Sequence, residues 1–507
     1  MSHVGRRIAA GAAWMVLFKL ADRALSLVSM LVLARLLVPA DFGVVAIASS
    51  VLAFLEVFTA LGVDVALISK PNVTREHYDS AWTSKVLLGL AVGVMLVIIA
   101  GPAAAFFNEP RVANVARVLA IASFVQGLEN IGVVDFRKEL RFETEFRFQL
   151  AKRLIMLAVT LPLAFAFRNY WALVIGSVVG RFVGVGLSFV AHPFRPRFAL
   201  TKIRDLMSIS TWLVFSSVLY YFREQSSNIA LGRLSGPRAT GLYTLSYDFA
   251  SLPTLQLIAP INRAVLPGLV QLSGQLAELA RNALNVLSLT ATLAIPAAVG
   301  LAVTAPITVP LLLGNQWLDA IPVLQFLALA SAGASLLSSS WAVYLALQNP
   351  RTPVAVDVGY VLLQAVLLIV LCPQFGAMGA AVAAFVTASL IAPINYALLL
   401  PRLGLRWRVF PLMLIRPMIA SLVMYVALRP WTVAPPHENT LQMIATLCGL
   451  LTAGPLIYAA TLFALWFLWR RPTGPELLLL EWLQPRVPPR LRALTQRLLP
   501  TAAPDVK

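Results

Sequence analysis

The stretch "LARLLVPADFG" at residues 33–43 closes the first long apolar run of this chain, and "LGRLSGPRATG" at residues 231–241 closes a later one. A fixed shift of 198 residues aligns the two stretches and pairs eight identical residues between Trp14 and Gly43 with their counterparts. A second pair of similar segments supports the repeat: "LAIAS" at residues 119–123 recurs as "LALAS" at residues 327–331, with a shift of 208. These matches indicate that the first half of the sequence is repeated in the second.

A common signal for ending a membrane span is the alternative explanation of the repeated corner. Pro and Gly stop a helix, and an Arg at the end of a span reaches the headgroups. This explanation does not account for Trp14 and Trp212, each of which stands 21 residues before the Arg of its corner. We therefore interpret the match as a duplication.

The composition predicts an all-α polytopic membrane protein. Hydrophobic residues make up 59% of the 507 and charged residues 12%, whereas soluble domains carry about 25% charge. A membrane-spanning helix needs about 20 apolar residues. No removable signal peptide precedes the first run, so we expect that run to remain as a span. We identify about fourteen candidate transmembrane helices, centred near residues 22, 55, 95, 122, 160, 181, 218, 253, 294, 332, 362, 388, 419 and 455.

The distribution of basic residues predicts the orientation. With both termini in the cytoplasm, 27 of the 40 Lys and Arg residues fall on the inner side and six on the outer side, as the positive-inside rule requires. Lys152 and Arg153 are counted among the inner residues. Anionic lipid beside these basic loops accounts for the net charge of +18 without nucleic acid,.

The repeat predicts the architecture. Six spans fit in one repeat, and an even number of crossings returns the chain to the same side of the membrane. The two halves should therefore be parallel six-helix lobes related by a pseudo-two-fold axis along the membrane normal, plus two C-terminal helices. The predicted domains are residues 1–200, 201–403, 404–469 and a basic cytoplasmic tail at 470–507.

Neither a metal site nor a cofactor site is predicted. Cys372 and Cys448 both lie in or beside apolar runs and define no disulfide framework,. The four His residues are scattered without the spacing of a zinc or catalytic cluster,.

Longer stretches carry a resemblance to a known family. "ARLLVPADFGVVAIASSVLAFLEVFTALGVDVALI" from Ala34, "DFRKELRFETEFRF" from Asp135 and "FGAMGAAVAAF" from Phe375 resemble the polysaccharide transporter (PST, Wzx-type) flippases. These flippases belong to a superfamily that also holds the peptidoglycan lipid flippases and the multidrug and toxin extruders. The resemblance covers roughly residues 5 to 430.

The resemblance implies a function as well as a fold. It implies a two-lobed protein of the bacterial inner membrane that moves undecaprenyl-diphosphate-linked oligosaccharide from the cytoplasmic to the periplasmic leaflet by alternating access. The partners it implies are this substrate and membrane lipids, with a polysaccharide polymerase and a chain-length regulator as further candidates, and the protein is expected to be a monomer.

Charged residues inside the apolar runs are the candidate functional residues, because an ionisable side chain at mid-membrane costs about 2.5 to 3.5 kcal/mol. Lys19, Asp22, Arg23 and Ser26 share one helical face,, which must contact protein or water rather than lipid. In the functional interpretation Lys19 and Arg23 bind the diphosphate of a lipid carrier. In the alternative, Asp22 neutralises one neighbour and the cluster only fastens the helix to its bundle.

The remaining candidates are spread over both halves. The cationic set is completed by Arg223 in the run aligned with the first one, and by Arg181 and Arg263. A buried carboxylate pairs with such cations or binds a coupling proton, although an acid that is simply hydrogen-bonded within a helix contact is an alternative. The candidate acids are Asp22, Glu56, Glu129, Glu224, Asp248 and Asp357.

Two other functions, a drug exporter and a membrane enzyme, agree less well with the sequence. An exporter of cationic drugs with this fold needs a negatively charged site, which the basic first run does not favour. A polysaccharide polymerase or glycosyltransferase usually needs a large extramembrane loop or an acidic nucleotide-sugar motif. The loops here are short and no DxD is present, so we expect a transporter and not an enzyme.

Overall fold

The computed structural model describes residues 3–59, 63–70, 72–206, 211–349, 351–433 and 440–469. Within those ranges the chain is helical and contains no strand. The predicted tail at residues 470–507 lies outside them. The long helices are α1 (His3–Leu36), α2 (Pro39–Val57), α3 (Arg75–Phe106), α4 (Arg111–Gly127), α5 (Phe142–Phe167), α6 (Trp171–Ala191), α7 (Thr211–Leu234), α8 (Gly236–Gln271), α9 (Leu276–Thr308), α10 (Ala320–Ala346), α11 (Arg351–Leu399), α12 (Val409–Val433) and α13 (Thr440–Leu468).

The predicted helical class is confirmed. All fourteen predicted centres fall within these helices, and the centres near 362 and 388 share α11, which breaks at Gly376, where φ is +53°. Among the described residues, nine helices are long and apolar enough to cross a membrane. A tenth is added if Arg111–Gly127 and Ile131–Lys138, bent by 70°, form one span. Fourteen crossings therefore remain a prediction.

Contacts divide the chain into two compact units. The first contains Met1–Thr244 together with Leu312–Gln316 and Leu368–Ala377. The second contains Leu245–Leu311, Trp317–Leu367 and the chain from Met378 onward. The predicted lobe boundary at residue 200 refers to the sequence repeat and stays a prediction.

Close glycine contacts hold helix pairs of the first unit together. A Cβ built on Gly176 of α6 would lie 2.1 Å from Thr160 Oγ1 of α5, and one built on Gly180 would lie 2.8 Å from Met156 Cγ. On α4, a Cβ built on Gly127 would lie 2.6 Å from the carbonyl oxygen of Lys85 in α3. Apolar surface gives little driving force between helices in lipid, so this close van der Waals packing stabilises the pairs.

An extended connector leads from α6 toward the second half and is fastened to α3. Within α3, Asp79 Oδ1 accepts a hydrogen bond from the backbone N–H of Arg197 at 2.8 Å, and Thr83 Oγ1 accepts one from Ala199 at 3.0 Å. Fully buried Asn130 donates to the carbonyl oxygen of Phe194 at 2.8 Å. Residues 192–202 are therefore held on the first half of the chain.

His192 begins this connector in a polar contact. Its Nε2 lies 3.5 Å from Asp135 Oδ2, and the Tyr78 hydroxyl donates to the other oxygen of the same carboxylate. A Cβ on Gly132 would lie 2.1 Å from His192 Nδ1, so only glycine leaves room for the imidazole. Burial lowers the pKa of His192 below its ordinary value,.

In the second unit, α9, α10, α11 and α12 surround one apolar core. Tyr344, Tyr396 and Leu399 are fully buried in it. The Tyr344 hydroxyl donates to the carbonyl oxygen of Asn395, and the Tyr458 hydroxyl of α13 donates to that of Thr292 in α9 at 2.8 Å. The last two helices therefore pack on α9 through both apolar and polar contacts.

Candidate functional site

The polar face of α1 begins the candidate site. Lys19 is exposed, whereas Asp22, Arg23 and Ser26 are half-buried on the same helix. The Ser26 hydroxyl donates to the carbonyl oxygen of Asp22 at 2.7 Å. This face therefore carries a half-buried carboxylate and a half-buried guanidinium group.

Arg153 of α5 is the partner of Asp22. Its Nε lies 3.5 Å from Asp22 Oδ1, and its Nη2 donates to Ser26 Oγ at 2.6 Å. Asp22 therefore has an ion-pair partner on another helix, which the sequence alone does not reveal. Arg153 lies 14 residues before the end of α5 at Phe167, about 21 Å along a helix, and its assignment to the cytoplasmic side stays a prediction.

Lys152, assigned from sequence to the same inner segment, pairs with Glu129. Its Nζ lies 3.2 Å from Glu129 Oε1, and the side chains are 31% and 18% exposed. The stem of Lys152 crosses α6 at Gly184, where a Cβ would lie 2.6 Å from Lys152 Cε. Glycine at this position therefore makes space for the cation.

Arg181 of α6 faces Glu56 of α2. Its Nη1 lies 3.7 Å from Glu56 Oε1, and the side chains are 24% and 41% exposed. Both residues are among those predicted from sequence, and the structure brings them together. Their contact joins α2 to α6 across the interior of the first unit.

Several N–H groups of these arginines lack a hydrogen-bond acceptor. The Nε atoms of Arg23 and Arg153 and the Nη1 atom of Arg181 are buried and have no hydrogen-bond acceptor among the described residues. Arg153 and Arg181 are within ion-pair distance of carboxylates, but those contacts are too long or poorly aligned to be hydrogen bonds. Buried guanidinium N–H groups without acceptors are unusual in proteins and call for an explanation.

The arrangement favours an anion with several oxygens. Cations outnumber carboxylates in this set, which contains Arg23, Lys152, Arg153 and Arg181 against Asp22, Glu56 and Glu129. Guanidinium groups bind phosphate through paired, charge-assisted hydrogen bonds. Their open N–H donors would be satisfied by such a ligand.

A family comparison identifies the class of protein. The model of a family described as "Polysaccharide biosynthesis protein" matches residues 32–322, more than half of the chain. The chain belongs to this family. The match begins directly before the first repeated corner, and it confirms the predicted resemblance to the polysaccharide transporter flippases.

Two curated relatives agree with this family assignment. The chain is 25% identical over 325 residues to the lipopolysaccharide biosynthesis protein WzxC of Escherichia coli (strain K12), covering 62% of this chain and 65% of that protein. It is 24% identical over 319 residues to the succinoglycan biosynthesis transport protein ExoT of Rhizobium meliloti (strain 1021), covering 62% and 65%. In both cases the match spans slightly less than two thirds of the relative.

A solved structure shares the fold. The lipid II flippase MurJ in its inward closed conformation superposes with a TM-score of 0.69 at 15% identity, over 89% of this chain and 99% of that one. At this identity the likeness shows the fold alone. By its printed name ExoT is a transport protein, which agrees with the predicted non-enzymatic class.

The candidate residues in the second half of the sequence are more dispersed. Arg223 and Glu224 are half-buried in α7, and each interacts with other residues. Asp357 is half-buried in α11, Asp248 is exposed on α8, and Arg263 is exposed near the end of α8. The structure brings none of these into the ion pairs of the first unit that are described above. No group of three His, Cys, Asp or Glu side chains among the described residues is placed to hold a metal ion.

Proposed function

We propose that this protein is a flippase that carries undecaprenyl-diphosphate-linked oligosaccharide units from the cytoplasmic to the periplasmic leaflet of the bacterial inner membrane. The units would serve the synthesis of an O-antigen, capsule or exopolysaccharide. The observation that carries the proposal is the buried, open N–H donors of Arg23, Arg153 and Arg181. Family membership and the named functions of ExoT and MurJ support it.

The diphosphate is the part of the cargo that fits these arginines. It is a compact polyanion that would otherwise cross the bilayer at high cost. Asp22, Glu56 and Glu129 hold the cations while the site is empty, and the incoming diphosphate competes with the two carboxylates that contact arginine. Lys19 and Arg223 provide further positive charge along α1 and α7, and Arg263 lies at the end of α8.

Alternating access between two lobes is the proposed mechanism. We place both termini in the cytoplasm, fourteen spans in the membrane, and the two six-helix lobes around a pseudo-two-fold axis parallel to the membrane normal, with the protein acting as a monomer. Glu224, Asp248 and Asp357 are the proposed second-half groups for charge pairing or for binding a coupling ion. The polymerase and the chain-length regulator would act on the flipped product.

The test is complementation of a deletion strain by single variants, with the undecaprenyl-linked glycan assigned to its leaflet. Arg153→Ala should leave complete units on the cytoplasmic leaflet and lower the rate of translocation at least about tenfold, because a hydrogen bond to a charged group contributes about 1.5–3 kcal/mol. Arg23→Ala and Arg181→Ala should act in the same direction. Arg147→Ala is the matched control, since Arg147 lies on the same helix α5, is 74% exposed and pairs with Glu143.

The outcomes separate the alternatives. Normal translocation by Arg23→Ala, Arg153→Ala and Arg181→Ala at equal protein levels would overturn the cationic site. Normal translocation in the deletion strain itself would overturn the flippase, and unpolymerised glycan already in the periplasm would favour a polymerase instead.

A further inference from the structure

The two repeated corners contact each other. The first joins α1 to α2 and contains Arg35, Pro39 and Gly43, and the second joins α7 to α8 and contains their counterparts Arg233, Pro237 and Gly241. Both corners belong to the first unit. The two corners are recognisable in the sequence as a repeat, but their contact is visible only in the structure.

The contact is made by backbone on backbone, and it is reciprocal. A Cβ built on Gly43 would lie 1.7 Å from the carbonyl oxygen of Pro237, and a Cβ built on Gly241 would lie 1.8 Å from the carbonyl oxygen of Pro39. No flexible side chain stands between them that could give way. Only a residue without a side chain permits this approach, in which Cα–H groups face carbonyl oxygens.

The arginine of each corner donates a hydrogen bond to a residue in the other half of the sequence. Arg35 Nε donates to the carbonyl oxygen of Leu312 at 3.2 Å, and Arg233 Nη1 donates to that of Phe106 at 2.8 Å. Phe106 ends α3, and Leu312 lies in the turn that extends α9. The C-terminal end of a helix carries partial negative charge, which favours a cation there. Phe106 and Leu312 are 206 residues apart, which lies between the shifts of 198 and 208 that align the two halves of the repeat. The two acceptors are therefore at corresponding positions of the repeat.

We propose that the duplicated corner is an internal two-fold clasp, which holds the two sequence halves together within the first unit and opens during the transport cycle. Two-fold symmetry explains why the same residues stand in both corners, since each surface meets a copy of itself. The opening of the clasp rests on the proposed flippase function, whereas its role in holding the two sequence halves together does not.

The chemistry of the clasp suits a contact that parts and re-forms. Arg35 and Arg233 are exposed, so their hydrogen bonds contribute little and water can replace them. The two glycines bury no charge and need no partner when they separate. The clasp is therefore closed by fit rather than by strong bonds.

Cys372 is a native reporter of the closed clasp. Its side chain is 1% exposed. Its carbonyl oxygen accepts a hydrogen bond at 2.9 Å from Oγ of Ser235, which belongs to the second corner. Cys448 is exposed and is replaced by Ala. The full-length Cys448→Ala protein in membrane vesicles is then treated with a membrane-impermeant maleimide, and the labelling rate of Cys372 is measured.

Gly43→Ala and Gly241→Ala should each raise the labelling rate of Cys372 at least about tenfold, because the added Cβ moves the population toward the open state. The double variant should label no faster than the faster single variant. Once one Cβ has separated the corners, the second has nothing left to meet, so the two effects are not additive. Arg35→Ala should act in the same direction but more weakly, without touching the backbone contact.

Gly127→Ala is the matched control, because its Cβ would lie 2.6 Å from the carbonyl oxygen of Lys85 in a helix contact away from the corners. Equal acceleration by Gly127→Ala would overturn the clasp, and so would additive effects of the two corner variants. No acceleration in corner variants that elute as folded protein would also overturn it. A labelling response without any change in glycan translocation leaves the clasp standing and removes its role in transport, whereas failure of the arginine variants above bears only on the binding site.

Discussion

His192 places a titratable side chain at the start of the connector. Burial is the main cause that lowers the pKa of His192 below its ordinary value, and the charges of Arg141 and Arg195 lower it further. The charges of Asp135 and Glu139 raise the pKa, but they do not outweigh burial. As the pH falls through about 6.5, the unfolded chain therefore binds a proton at His192 more readily than the folded protein does. Folding stability should decrease on acidification for this reason.

We expect the thermal unfolding midpoint in detergent to fall between about pH 7.5 and about pH 5.5, and to fall less in His192→Gln, which cannot gain the charge. Glu109 does not contribute in this window, because its hydrogen bond from Arg111 lowers its pKa below the ordinary carboxylate value. An equal fall in both proteins would show that protonation of His192 has no part in the effect.

Residue types were predictable from the sequence, whereas their partners were not. The face of α1 that holds Lys19, Asp22, Arg23 and Ser26 follows from helical spacing alone. The pairing of Asp22 with Arg153 joins residues 131 positions apart and depends on which helices pack together. The run "LAKRLIM" at residues 150–156 places Lys152 and Arg153 within α5, but it does not indicate which helices supply their partners.

At the scale of elements, the contact between α5 and α6 depends on the fit of Gly176 against Thr160. We expect Gly176→Ala to lower the free energy of unfolding by about 1–3 kcal/mol, because its Cβ overpacks the site. Thr160→Ala combined with Gly176→Ala should recover much of the loss by removing the opposing hydroxyl and methyl. Unfolding followed by helical circular dichroism in a mild detergent measures both.

Gly186→Ala on the same helix is the control for α6. Nothing lies within 4 Å of a Cβ built there, so the substitution should be neutral or slightly stabilising through helix propensity. A loss at Gly186 as large as that at Gly176 would mean that alanine disturbs α6 itself and not its packing.

The elements themselves were largely predictable, because apolar runs of spanning length determine where helices form without reference to distant contacts. The break at Gly376, where φ is positive, was predictable as well, since it falls between the predicted centres near 362 and 388 and shortly after Pro373 and Gln374. The connector at residues 192–202 needed more information, because it is extended where Asp79 and Thr83 of α3 bind its backbone. Its sequence "HPFRPRF" marks a break in helix, but not the surface on which it lies.

At the scale of the whole molecule, the orientation is open to direct measurement. In a Cys448→Ala background, Phe198→Cys in the connector should react with an impermeant thiol reagent only in inside-out vesicles. Leu318→Cys, between α9 and α10, should react only in right-side-out vesicles. Both side chains are exposed, at 72% and 48%, so the different reactivity reports the side of the membrane, as the positive-inside count predicts. Labelling of both from one side would contradict the predicted topology.

The reciprocal contact of the two corners has a consequence for ancestry. A surface that meets its own copy across a two-fold axis needs only one sequence to be complete. An ancestor half as long, with a single corner and six spans, would have carried everything required to pair with a second molecule of itself. Gene fusion would then have made the dimer permanent, and the two halves would have been free to diverge as long as the Arg, Pro and Gly of the two corners were kept.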